Sequence, residues 1–475
     1  MKIHTGQART ERAHTGQAQL EQAQPAKEHK NGRRSFLKQS SLTAVGAVGA
    51  VLTASVANVP KVHAAENNTL NIALVGCGSR GTGALFDAMQ TEGPKKVVAL
   101  ADVFRERMGW TLRSVTERYP NDVDVPQDRQ FEGFEGYKKA IDAVGAGGVV
   151  LLASPPVFRP RELEYAAEQG VHVFAEKSFA VDSPGVRRTL AAGKVSDEKN
   201  LKVVSGLMQR HKLSAQMAIE QIHAGVIGEV TTCLAYRIQD IGMALGARRP
   251  GESLLSHQMR HFNNFTWLFG SPMVDWLIHN LDVCCWAKEA YPVVAQGQCA
   301  RQVRRIQDQL FDQYYVEYTF PDGTRLLAQG RYIPRTWNNF QSVIHGTTGC
   351  AVVGEGVRDP RLFRGHNPDT RNMIWEYTGP PYKNEYQAEH DTLFDAIRND
   401  KPHNETERAA LSSMVGVLGR LAAESGQRIT WEDAINSNRS LANIDELVSF
   451  DSPAPVKPDE NGDYPFPIPG LTEVL

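Results

Sequence analysis

A chain of 475 residues is too long for one ordinary core, so two domains with terminal extensions are expected. Its 52 Lys and Arg nearly balance 54 Asp and Glu, for a formal net charge of −2. That balance leaves no electrostatic footprint for nucleic acid or an anionic membrane surface, and excludes a phosphate-tracking partner.

The first residues are polar and nearly repeat themselves, His4-Thr5-Gly6-Gln7-Ala8 returning as His14-Thr15-Gly16-Gln17-Ala18. With too little apolar surface to fold, residues 1–31 read as a disordered polar leader. Residues 32–64 then run basic, apolar, small: Arg33-Arg34-Ser35-Phe36-Leu37-Lys38, a mild Ala/Val/Gly run from Leu42 to Ala57, and Val62-His63-Ala64. That order is a processing signal. The paired arginines resemble a twin-arginine signal, with Gly32 where Ser or Thr is usual, which implies export of a folded protein to the periplasm. The apolar run is short for a permanent span, so no stable membrane insertion is expected after processing; a Sec signal or an anchor is the alternative. Six cysteines, at 77, 233, 284, 285, 299 and 350, form no CxxC pair and no metal-ligand spacing, so neither a disulfide framework nor a metal site is expected.

From Leu70 short apolar runs alternate with helical stretches: Leu70 to Val75, Val97 to Ala101, Val149 to Ala153 and Val171 to Ala175. Continuous apolar strands separated by helices predict an α/β fold, a doubly wound parallel sheet of Rossmann type over residues 69–190. Residues 191–445 change character, with longer alternating strands at Glu229 to Gln239, Val293 to Val303, Tyr314 to Phe320 and Thr324 to Tyr332. The last two meet at Asp322-Gly323, a hairpin turn, so an α+β domain with a largely antiparallel open sheet is expected. Its helices are predicted over Lys212 to His223, Met273 to Tyr291 and Glu385 to Arg398. Residues 446–475, rich in proline, read as an extended tail over the surface or over a neighbouring subunit.

The first strand runs into Gly76-Cys77-Gly78-Ser79-Arg80-Gly81, and a helix follows. Glycines are needed there because the chain must turn tightly, approach a pyrophosphate by its backbone, and then pack a helix on the sheet. The next strand ends at Asp102, 21 residues after Gly81, where a carboxylate can take adenosine ribose hydroxyls. Asp102 argues for NAD, since it would repel the 2′-phosphate of NADP; Arg105 and Arg107 behind it keep NADP open.

Two further features carry chemistry. Glu176-Lys177-Ser178 closes the last strand of the first domain, where such a pair is more often a solvated ion pair. In the helix around 275–282, Asp275, His279 and Asp282 fall within an arc of roughly 60° on an otherwise apolar element. Buried ionisable groups need partners or a task, and a satisfied structural Asp-His pair fits as well as a catalytic one.

Ser154-Pro155-Pro156 and Gly170 to Ser178, taken with the Gly loop, resemble the Gfo/Idh/MocA family of oxidoreductases. The resemblance covers residues 70 to 440 and includes Gly225 to Val230 and Glu389-His390-Asp391. It implies a nicotinamide cofactor held by Gly76, Gly78, Ser79, Arg80, Gly81, Asp102, Ser154, Pro155, Glu176 and Lys177, and a sugar or polyol substrate. The family's Glu-Lys-Pro appears with Ser178 in place of proline, which frees a backbone N–H. The resemblance assigns His279 the exchange of the substrate hydroxyl proton, Asp275 the orientation of that imidazole, and Lys177 the developing alkoxide. Arg159, Tyr236, Arg260 and Asp282 are candidate substrate contacts, each with a structural reading beside it. A homo-oligomer is implied by analogy. NAD-dependent glycoside hydrolases of the same fold, which cleave by transient oxidation and elimination, are the alternative activity, and a non-catalytic sensor of dinucleotide or sugar is a third.

Overall fold

The computed structural model describes residues 68–475 except 243, 305–306, 355–358 and 381–383, so the leader and signal expected over 1–64 lie outside the described residues. Among the described residues no helix is long and apolar enough to cross a membrane.

Six parallel strands form the first sheet: β1 (Leu70–Val75), β2 (Lys95–Asp102), β3 (Gln130–Glu132), β4 (Val149–Leu152), β5 (His172–Ala175) and β6 (Val203–Ser205). Their order is β3-β2-β1-β4-β5-β6, the doubly wound arrangement that the apolar runs predict. Ile72, Ala73, Leu74 and Val149 to Leu152 are fully buried because helices cover both faces. Those helices are α1 (Ser79–Met89), α2 (Arg105–Arg118), α3 (Gly136–Val144), α4 (Arg159–Gln169) and α5 (Ser183–Glu198). The sequence reading ends this domain at residue 190. The structure carries it further, because β6 completes the sheet; three residues are too short a run to announce a strand.

The second sheet has nine strands: β7 (Val230–Gln239), β8 (Val294–Ala300), β9 (Gln313–Thr319), β10 (Arg325–Tyr332), β11 (Asn339–Gly346), β12 (Gly349–Gly354), β13 (Arg361–Arg364), β14 (Met373–Glu376) and β15 (Ile429–Thr430). Among the described residues of this sheet only β7 and β10 pair in parallel; every other neighbouring pair is antiparallel. The β9–β10 hairpin turns at Gly323, whose φ of 87° a side chain would resist.

Helices α6 (Leu213–His223), α7 (Leu254–Arg260), α8 (Thr266–Phe269), α9 (Pro272–Asp275) and α10 (Ile278–Lys288) precede most of this sheet, and α11 (Glu385–Arg398), α12 (Thr406–Ser425) and α13 (Trp431–Asn436) follow it. Helix α12 is buried on nearly all sides, being wedged between α5 of the first domain and strands β8 and β9 of the second. Helix α11 returns to the first domain, where Gln387 donates to the Asp87 carbonyl at 3.0 Å. The proline-rich tail lies on its own chain: Gln258 donates to the Val456 carbonyl, Gln309 to that of Pro465, and Tyr464 packs edge-on against Phe265.

Candidate functional site

Where the first sheet reverses order, between β1 and β4, the loops at the strand ends open a cleft of about 520 Å³. The Gly loop forms one wall. Gly76 has φ 93°, and a Cβ there would stand 2.6 Å from Ala153 C and Ser154 N. A Cβ on Gly81 would collide with the Gly76 carbonyl oxygen, whereas at Gly78 it would meet nothing within 4 Å. The chain is therefore packed tightly behind the loop and open in front. Helix α1 begins there with no side-chain cap and no acid in its first turn, so its N–H groups are available to a phosphate.

Asp102 ties this wall to the next loop. Its carboxylate accepts from Cys77 N at 2.7 Å and from Phe104 N at 2.9 Å, and burial raises its pKa. Arg107 lines the cleft beside it, whereas Arg105 turns outward to Glu132 at 2.8 Å. Arg80 pairs with Glu176 at 2.7 Å. Behind them Glu389 is fully buried and, among the described residues, neither of its carboxylate oxygens is hydrogen-bonded; burial, then the Glu176 charge, push its pKa well above the ordinary carboxylate value. Ser154 donates to Glu162 at 2.5 Å, and Pro155 lines the same cleft.

The second domain supplies the opposite wall from a broken helix. A continuous helix over Met273 to Tyr291 is expected from the sequence, but α9 ends at Asp275 and α10 begins at Ile278. The Pro272 carbonyl accepts from both Trp276 at 3.1 Å and Leu277 at 3.0 Å, so the turn is widened by one residue. Two carbonyls that a regular helix would use are thereby left for other donors. Lys177 Nζ donates to the Asp275 carbonyl at 2.6 Å, and Ser178 Oγ to that of Val274 at 2.6 Å. Ser178 thus contributes a donor that a proline lacks. The peptide bond between Lys177 and Ser178 is cis.

Lys177 also pairs with the Asp275 carboxylate at 3.0 Å. Lys177, Asp275 and His279 all line the cleft with the Gly loop. Burial, then the positive charges of Lys177 and Arg237, hold the His279 pKa well below the ordinary histidine value, so the imidazole is neutral. Among the described residues no hydrogen bond joins Asp275 to His279, as the orienting role expected for Asp275 would need; its carboxylate pairs with Lys177. The interruption of the helix is the reason, since it removes the regular i, i+4 stacking on which that expectation rests.

Three other expectations are revised. Asp282 lies outside the cleft, fully buried, gripped by Arg210 at 2.8 and 2.9 Å and by Ser412 at 2.7 Å. Arg260 clamps Glu252 and Glu106 over the Phe104 ring outside the cleft. Tyr236 stands next to the right residue: successive strand positions face opposite sides, and it is Arg237, over the Phe340 ring, that lines the cleft. Arg159 does line it, with its guanidinium spent on the Ser154 and Ser178 carbonyls at 2.6 Å each. Arg237 was legible as a strand residue one step from Tyr236, and Ser178 as a hydroxyl beside Lys177.

No family model matches the chain. Its structure is similar to aldose-aldose oxidoreductase from Caulobacter crescentus, with a TM-score of 0.59 and 20% identity over 76% of this chain and 99% of that one. It is also similar to scyllo-inositol dehydrogenase from Lactobacillus casei, with a TM-score of 0.57 and 17% identity over 77% and 99%. The fold is that of the Gfo/Idh/MocA dehydrogenases. In sequence, 215 residues are 26% identical to a glycosyl hydrolase family 109 protein of Solibacter usitatus, covering 42% of this chain and 44% of that protein. The chain spans less than half the length of the curated relatives it matches.

Proposed function

We propose that this protein is a nicotinamide-dinucleotide-dependent oxidoreductase acting on a hydroxyl-bearing carbon of a sugar or polyol. The single observation that carries the reading is the meeting, in one cleft, of an open Gly loop, the Asp102 carboxylate, a lysine and a neutral buried histidine. A dinucleotide fits these residues: the space in front of Gly78 and the bare start of α1 suit a pyrophosphate, and Asp102 suits the adenosine ribose. Ser79, Arg80 and Gly81 would hold the phosphates, and Ser154, Pro155 and Glu176, which line the same cleft, would border the other half. NAD is the cofactor we favour, with NADP second because Arg107 faces the cleft. Bound there, the nicotinamide supplies an acceptor or donor of hydride.

The protein's own residues then do the following. His279, neutral, takes the hydroxyl proton, which makes the C–H bond a better hydride source. Lys177, fixed by the backbone carbonyl and the carboxylate of Asp275, offers positive charge to the oxygen as it loses that proton. Asp275 holds the lysine rather than the imidazole. The aldose and inositol enzymes that share the fold support the substrate class. The test is to purify the protein, weigh any co-purifying dinucleotide, and screen aldoses and inositols for reduction of bound NAD; a protein that neither carries nor binds a dinucleotide overturns the reading.

A second reading, glycoside cleavage at the same residues, is favoured by the likeness to a glycosyl hydrolase family 109 protein. Release of an aglycone without net change in the cofactor would select it. We also propose export by the twin-arginine route, supported by Arg33-Arg34 and the apolar run after them. Free nicotinamide cofactor is not expected outside the cytoplasm, so an exported enzyme must return its hydride on site. Assembly as a homo-oligomer rests on the resemblance, and sedimentation would test it.

A further inference from the structure

Residues 441–456 reach the Asp102 end of the cleft from outside. The Phe450 ring stacks on Phe104 at 5.2 Å and 25°, and meets Phe134 edge-on at 5.5 Å and 75°. Phe134 lines the cavity itself, and Phe104, outside the lining, donates its N–H to Asp102, which does line it. Arg161, another lining residue, donates to the Ile444 carbonyl at 3.0 Å and the Phe134 carbonyl at 3.3 Å, so one guanidinium joins the tail to the loop after β3. The Asp182 carboxylate accepts from Leu441 N at 2.9 Å and anchors the start of the segment. Ile444, Leu447 and Ala454 are buried in the same apolar cluster as Phe104, Phe134, Val157 and Phe158.

Loops at strand ends ordinarily open and close at little cost, because few buried contacts hold them. Here the loops that follow β2, β3 and β4 share a small core with residues 441–456. We propose that this segment is a clasp that completes the adenosine end of the dinucleotide site and slows release of the cofactor. Phe450 is its positioning residue, acting through Phe104 and Phe134. The proposal rests on the dinucleotide reading above.

The experiment measures NADH release from the full-length protein by displacing it with excess NAD and following the fluorescence. Phe450→Ala is expected to release NADH at least about ten-fold faster than wild type, with Phe450→Tyr restoring slow release because the ring pairs return. Phe466→Ala, in the same tail but packed on Phe311 away from the cleft, is expected to leave the rate unchanged. The thermal midpoint of each cofactor-free variant separates loss of the clasp from loss of fold. Release unchanged in Phe450→Ala, or accelerated equally by Phe466→Ala, overturns the clasp alone. Wild-type protein that binds no NADH overturns the dinucleotide reading and the clasp with it.

Discussion

Lys177 Nζ lies 2.6 Å from the Asp275 carbonyl oxygen and 3.0 Å from its carboxylate, so the loop after β5 of the first domain is joined to a broken helix of the second. The join places the lysine, and the imidazole one turn further on, at one cleft. Neither domain could build that arrangement alone.

If the lysine stabilises charge on a substrate oxygen, Lys177→Met should lower kcat by about 100-fold or more while leaving NADH affinity within a few-fold of wild type. Asp275→Asn keeps the carbonyl contact and removes the charge, so a smaller loss is expected. Steady-state kinetics beside a cofactor titration separate the two; equal losses in affinity and kcat would contradict the assignment.

For His279, the base is the neutral form, and burial with two neighbouring positive charges keeps it neutral to a pH well below the ordinary histidine value. The acid limb of kcat/KM assigned to this residue should therefore fall below about pH 6.5, activity being lost as pH drops through the lowered pKa. His279→Ala should lose at least about 100-fold in turnover and keep its cofactor. A limb above pH 6.5 would show that another group titrates.

The two faces of the Gly loop predict opposite failures. Gly78→Ala adds a methyl into open space, so the cofactor-free protein should melt as wild type does while NADH binds at least about ten-fold more weakly. Gly81→Ala drives a methyl into the Gly76 carbonyl and should cost stability first. Paired melting and binding curves decide it.

Removing Asp282 strands the Arg210 guanidinium in the interior. Asp282→Ala should destabilise by about 3–5 kcal/mol, with the folded fraction keeping its KM for substrate. A raised KM without loss of stability would return Asp282 to the substrate site.

Much of the fold could be read in the sequence because the first sheet is built of continuous apolar runs and the second of alternating strands. Leu70–Val75 and Glu385–Arg398 match their expected limits, and the Asp322-Gly323 hairpin forms where the turn residues stand. The short strands β3 and β6 escaped because three residues carry no period. The site was less legible for a physical reason. Helical spacing groups Asp275, His279 and Asp282 on one arc, but the widened turn at Pro272 shifts the residues after it, sending Asp275 to Lys177 and leaving Asp282 to Arg210. Period alone cannot show where a ladder of hydrogen bonds gives way, although Ser178 beside the lysine was a visible sign of a second donor.

The most direct test loads the protein with NAD and adds inositols or aldoses carrying deuterium on the hydroxyl-bearing carbon, then weighs the extracted cofactor. The account predicts deuterium on the nicotinamide ring of wild-type protein and none with His279→Ala. A fully bound cofactor that stays unlabelled across the whole panel would contradict it.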